Sequence, residues 1–147
     1  MSEETLHILH IDDDEDDRFF LVRAARAAAL PIVITNAESG AQALVRLRTA
    51  PKVPDMLLLD IRMPAMSGFD LLEALKETIH AQVPVVMYSN SDQPSDVERA
   101  RALGAHAYCL KPSGLQHCVQ FMRRLYNAWL RRELPCEWPS KSGNDRG

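Results

Sequence analysis

Short apolar runs alternate with amphipathic stretches along this chain. Leu6 to Ile11 reads as a first strand. From Arg18 a helix is expected to run to about Ala29, with Phe20, Leu21, Ala24, Ala25 and Ala28 available for one face. Pro31 to Thr35 is β-branched and short, a second strand. Ser39-Gly40 starts a second helix through about Arg48, with Ala43, Leu44 and Leu47 inward. The breaker cluster Ala50 to Pro54 ends that unit. Met56 to Leu59 is wholly apolar, as in a strand buried on both faces of a parallel sheet. A third helix is predicted from Ser67 to about His80, with Leu71, Leu72 and Leu75 inward. Val83 to Tyr88 is a fourth strand that ends at Ser89. Pro94 suits the first turn of the next helix, and Ser95 with Glu98 has the spacing of a capping box. Gly104 is placed to close that helix in a left-handed cap. His106 to Leu110 is a fifth strand, ending at Lys111-Pro112. The last helix spans about Gly114 to Arg132 on the stripe Leu115, Cys118, Met122, Leu125 and Trp129.

Five strands alternating with five helices imply an α/β fold: a parallel, doubly wound sheet with helices on both faces and right-handed crossovers. Residues 1–4 are expected to be disordered, 5–132 to form the domain and 133–147 a C-terminal tail. The tail contains Pro135 and Pro139 and then turns polar. At 147 residues the chain has room for one domain with a real core and not for two.

Charge and composition narrow the partners. A formal charge of −3 gives no reason to expect nucleic-acid binding. The Arg123, Arg124, Arg131 and Arg132 face of the last helix reads instead as solvated or protein-facing. No apolar run approaches membrane-spanning length, and the acidic start lacks the regions of a signal peptide, so a cytoplasmic protein is expected. Cys109, Cys118 and Cys136 are odd in number and widely spaced, so reduced thiols are expected, at least two of them in the core. His7 and His10 are expected to pack under helices rather than bind metal.

Polar residues gather at the carboxyl ends of the strands. The first supplies Asp12 and Asp13, the third Asp60, the fourth Ser89 and the fifth Lys111. Open α/β sheets bind ligands along that edge. Asp14 to Asp17 lie where a helix starts, where acids complement the free N–H groups. That explanation is weaker for Asp12 and Asp13, which stand at the strand's end before the helix, and a lone Asp60 could equally cap the element after it, so the three are judged together. Carboxylates ~5 Å apart at an effective dielectric of ~20 repel by roughly 3 kcal/mol per pair. A divalent cation relieves this, and hard oxygen ligands favour magnesium over zinc.

These pieces resemble the CheY-like receiver domain of bacterial response regulators over about residues 5–131. The resemblance is carried by Asp12-Asp13, by Asp60-Ile-Arg-Met-Pro64 with Ser67-Gly68, by Ser89, and by Lys111-Pro112, each after its strand. It implies the flavodoxin-like strand order 2-1-3-4-5. It implies that Asp60 accepts a phosphoryl group from a phosphohistidine on a sensor histidine kinase. Mg2+ would then be held by Asp13, Asp60 and the backbone carbonyl of Arg62, with Asp12 acting through water. Lys111 and Ser89 would contact phosphoryl oxygens, and Tyr108 would be the aromatic switch. The implied output is a change on the face of helix four, strand five and helix five. The protein would be a signalling switch that catalyses its own phosphoryl transfer and dephosphorylation, not an enzyme in the ordinary sense.

Three positions depart from the commonest receiver pattern: Asn90, Arg62 and Ser113. With the dense acidic run and the long last helix bearing Trp129, they resemble single-domain regulators paired with bacterial phytochrome kinases. The downstream protein or phosphotransfer partner is not legible. The last helix and Leu134, Cys136 and Trp138 offer a surface for a homodimer. Other readings fit less well. A flavodoxin-like cofactor binder needs a phosphate-cradling loop where six consecutive acids stand. A haloacid-dehalogenase-like phosphatase needs Asp-x-Asp where Asp60-Ile61-Arg62 stands. A non-phosphorylatable pseudo-receiver has no use for intact Asp13, Asp60 and Lys111.

Overall fold

The computed structural model describes residues 4–78 and 81–139. Five strands and five helices alternate: β1 Leu6–Ile11, α1 Glu15–Ala28, β2 Ile32–Ala37, α2 Gly40–Thr49, β3 Met56–Leu59, α3 Gly68–Leu75, β4 Val85–Ser89, α4 Pro94–Ala102, β5 Ala107–Leu110 and α5 Leu115–Arg131. The strands form one sheet ordered β2-β1-β3-β4-β5, every neighbouring pair parallel. This is the doubly wound topology expected from the alternation. Register brings Ile11 beside Leu59 and Ser89 beside Leu110, so the polar residues that follow these strands emerge along one edge.

Alternate side chains divide the core in two. Leu9, Ile11, Leu57, Leu59 and Met87 face α2, α3 and α4, whose Ala43, Leu72 and Val97 complete that layer. Ile8, Leu58 and Val86 face α1 and α5, through Leu21, Ala25, Phe121 and Leu125. Every residue of β3 is buried, which explains its uninterrupted apolar run.

Local chemistry sets several boundaries differently from the sequence pattern. Helix α1 starts at Glu15 rather than Arg18, because the Asp14 carboxylate accepts from the N–H groups of Asp16 and Asp17 and so caps it. Strand β2 runs on to Ala37, carried by its ladder with β1. Strand β4 begins at Val85, whose N–H donates to His106 Nδ1. Helix α3 ends at Leu75, and its expected end at His80 falls outside the described residues. The reciprocal capping box forms at Ser67 and Asp70 of α3, not at Ser95 and Glu98. In α4 the cap is Gln93, with no side-chain bond, and Pro94 occupies the first turn as expected. Gly104 follows α4 at φ +97.

Two larger differences concern the cysteines and the tail. Cys109 and Cys136 form a disulfide, contrary to the expectation of three reduced thiols; only Cys118 is free, and it is buried. Pairing was hidden because it depends on where the tail lands. The tail returns to β5 at two places: Cys136 is joined to Cys109, and Trp138 stands against the Tyr108 ring with centroids 6.3 Å apart, while Pro135 between α5 and these contacts is buried. Leu134 remains exposed. Residues 1–3 and 140–147, part of the expected disordered start and tail, lie outside the described residues. No helix among the described residues is long and apolar enough to cross a membrane.

Candidate functional site

The site is built by strand ends and by one tight loop. Asp12 follows β1, and its N–H donates to the Ala37 carbonyl at 3.0 Å. Asp60 follows β3, and its N–H donates to the Ile11 carbonyl at 3.0 Å. These bonds continue the sheet one residue past its strands and fix both carboxylates side by side. The loop after Asp60 is closed by Gly68 N–H on the Ile61 carbonyl at 2.9 Å. Gly68 permits that approach: a Cβ there would collide with the Asp60 carbonyl oxygen and lie 2.9 Å from Ile61 Cα.

Asp12, Asp13 and Asp60 each offer a carboxylate oxygen within 4.8 Å of the others. Asp12 and Asp60 are buried, whereas Asp13 is exposed. Lys111 enters from the end of β5 and is itself only 7% exposed. Its Nζ stands 2.9 Å from Asp12 Oδ2, 2.7 Å from Asp17 Oδ2 and 3.5 Å from Asp60 Oδ2. Asp17 escaped the sequence reading, which gave the Asp14 to Asp17 run wholly to the helix start. Asp14 does cap, but Asp17, one turn on, reaches the lysine.

The two buried carboxyls titrate in opposite directions. Burial pushes Asp60 up to about 6, and the Asp12 charge adds to it, against the pull of Lys111. Burial acts on Asp12 too, but the His10 imidazole, the Asp14 N–H and Lys111 outweigh it and hold that carboxyl at about 2. The His10 contact is long, Nε2 to Oδ2 3.5 Å, and His10 is fully buried. Lys111 loses solvation by burial, but its carboxylate partners more than compensate and raise it. The lysine is therefore firmly charged, and Asp60 is the carboxylate held least comfortably in its ionised form.

Ser89 lies 1% exposed at the end of β4, and its Oγ accepts from the Ser91 N–H at 3.1 Å. Tyr108 is equally buried and donates its hydroxyl to the Ser91 carbonyl at 2.6 Å. The Arg62 guanidinium does not join the carboxylates. It is 68% exposed and donates to Asp96 Oδ2 at 2.8 Å, where Ser91 Oγ also donates at 2.7 Å. Ser91 and Asp96 thus link the Asp60 loop to α4, a role that the sequence did not reveal. Asp60, Arg62, Ser89, Asn90 and Ser91 line a common open cleft.

The arrangement presents three carboxyl oxygen donors, among them the raised Asp60, and one fixed cation at a single edge. That donor set fits Mg2+, since one ammonium leaves the acidic cluster with excess negative charge. Phosphoryl groups suit such a place, where a cation and hydroxyl donors converge on developing charge.

Residues 8–123 match the response regulator receiver domain. The chain is 37% identical over 126 residues to the DNA-binding transcriptional regulator NtrC of Escherichia coli (strain K12), covering 85% of this chain. That match spans only 26% of NtrC, about a quarter of its length. Among solved structures, the phosphorylated cyanobacterial phytochrome response regulator RcpA superposes with a TM-score of 0.77 at 23% identity, covering 93% of this chain and all 100% of that one. The bacteriophytochrome response regulator AtBRR superposes with a TM-score of 0.66 at 26% identity, covering 80% of this chain and 92% of that one. With most of its length matched to the receiver model and its sheet wound in the same order as these regulators, this chain belongs to the response regulator receiver domain family.

Proposed function

We propose that this chain is a phosphoacceptor switch of a two-component system, with Asp60 as the acceptor. The observation that supports this most is the convergence of Asp12, Asp13 and Asp60 opposite the buried ammonium of Lys111. The Asp60 carboxylate attacks the phosphorus of a phosphohistidine on a sensor kinase. A P–O bond forms at Asp60 as the P–N bond breaks, and its electron pair returns to the imidazole. Asp13, Asp60 and the Arg62 carbonyl, with Asp12 through water, would hold Mg2+, which supplies positive charge to the phosphoryl oxygens. Lys111 holds a second positive charge at the same place, and the Ser89 hydroxyl donates to another oxygen. The raised Asp60 belongs to the cation-free site, and a cation held there would favour its carboxylate form.

The switch runs through the loop after β4. The new group brings roughly −1.5 to −2 charge. Drawing Ser89 toward it moves Ser91, to which the Tyr108 hydroxyl is bound at 2.6 Å. Inverting a roughly 1:99 equilibrium requires about 5.5 kcal/mol of preference for the active state. AtBRR, described as a bacteriophytochrome response regulator, supports a phytochrome-type kinase as the donor. Incubation with acetyl phosphate and Mg2+, read by intact mass, tests the proposal. A phosphate adduct is expected in the wild type, and none in Asp60→Asn or with EDTA. An adduct of equal yield in Asp60→Asn would overturn it.

A further inference from the structure

The tail after α5 crosses from one face of the sheet to the other. β5 is one of the two edge strands. Cys136 packs with the α1–α5 layer, whereas Trp138, two residues on, packs with the α2–α4 layer. The chain therefore wraps the free edge of β5. Its anchor is the Cys109–Cys136 disulfide, with Cα atoms 5.6 Å apart. Beyond that anchor the Trp138 indole lies against the Tyr108 ring, and the Arg101 guanidinium of α4 lies over the same indole, 4.5 Å from its centroid. Cys109 is the neighbour of Tyr108, and Tyr108 is bound to the loop beside Ser89. Tyr108 thus packs beside an indole tethered within two residues of a covalent link.

We propose that Cys109 and Cys136 are a reversible thiol–disulfide site that locks the tail over Tyr108 when oxidised and frees it when reduced. The gating half of this inference rests on Asp60 as acceptor and Tyr108 as switch; the thiol chemistry does not. Cys109 is 1% exposed, but Cys136 is only half-buried, so an incoming thiolate meets the Cys136 sulfur first. A dithiol reductant attacks there, forms a mixed disulfide and releases the Cys109 thiolate. Its second thiol then displaces Cys136. Two electrons and two protons pass to the cysteines, and the reductant becomes a disulfide. The reverse reaction needs a disulfide oxidant such as a glutathione disulfide. Cys118 is fully buried, and burial pushes its thiol up, so it does not compete. In a reducing compartment, disulfides that form are mostly transient and redox-sensing, which suits a lock rather than a staple.

The full chain tests this by alkylation and by Trp138 fluorescence. After glutathione disulfide, a maleimide should label neither Cys109 nor Cys136; after a dithiol, it should label both. Trp129→Phe leaves Trp138 as the single tryptophan. Its emission should shift to the red on reduction and become more open to acrylamide, and Cys136→Ser should show the reduced behaviour throughout. Asp60→Asn should keep all of these responses. With acetyl phosphate and Mg2+, only reduced protein with Asp60 intact should show a further change in Trp138 emission. Failure to oxidise, a link between two chains on a non-reducing gel, or Trp138 emission unmoved by reduction would each overturn the lock. Redox responses intact but without any phosphate adduct would instead sink the reading of Asp60.

Discussion

Asp60→Asn should make the protein more stable, although it removes the proposed acceptor. Burial and the nearby Asp12 move the Asp60 carboxyl from an ordinary 3.8 to about 6. The side chain is 11% exposed, so water screens little of that effect. Holding the charge in the fold therefore costs roughly 3 kcal/mol once the group is ionised. Asparagine has nearly the shape of the neutral acid and carries no charge. The sign follows from proton counts. Between about pH 4 and 6 the folded wild type keeps a proton that the unfolded chain has released, so its stability falls as pH rises through that window. The variant lacks this slope. Urea unfolding in EDTA should find Asp60→Asn more stable by about 2–3 kcal/mol at about pH 8, with the gap closing by about pH 4. Saturating Mg2+ should narrow the gap at high pH, because it binds the folded wild type more strongly. Equal or lower stability of the variant at high pH without divalent ions would refute the reasoning.

Lys111→Met leaves Asp12, Asp17 and Asp60 without their shared cation, so a loss of about 3–5 kcal/mol is expected in urea at neutral pH, partly restored by Mg2+. Its phosphorylation by acetyl phosphate should also slow by about a hundredfold or more, read by intact mass against time. Gly68→Ala pushes a methyl group into the backbone at Asp60 and Ile61, and should cost about 1–3 kcal/mol in the same assay. Tyr108→Phe removes the bond to the Ser91 carbonyl, and thermal unfolding should report a loss of about 1 kcal/mol. Arg62→Ala should stay within about 0.5 kcal/mol of wild type in urea, because its partner Asp96 keeps the Ser91 hydroxyl and the guanidinium lies in solvent.

What the sequence made legible follows from where each signal is stored. Met56 to Leu59 is apolar at every position, and a strand buried on both faces accounts for that directly. Asp12, Asp60, Ser89 and Lys111 come together because parallel strands deliver their ends to one edge, so topology alone places them. Asp17 was missed because its helical phase, not its charge, sends it to Lys111, and the whole acidic run looks alike in one dimension. Asp96 accepts from both Ser91 and Arg62, 5 and 34 residues away, through contacts that no local pattern records. The expected cap at Ser95 failed for a related reason: the loop before α4 is shaped by Ser91, whose Oγ accepts from the Gln93 N–H. The disulfide lay furthest from view. Its cysteines are 27 residues apart, and only the return of the tail around β5 brings them together.

The central claim is that Asp60, and no other carboxylate at this edge, carries the phosphoryl group. Borohydride reduction of the phosphorylated protein converts an aspartyl phosphate to homoserine, and peptide sequencing by mass spectrometry then locates it. Homoserine at position 60, dependent on Mg2+ and absent from Asp60→Asn, is the expected result. Homoserine at Asp12, Asp13 or Asp17, or none at any position while an adduct is present, would contradict the account.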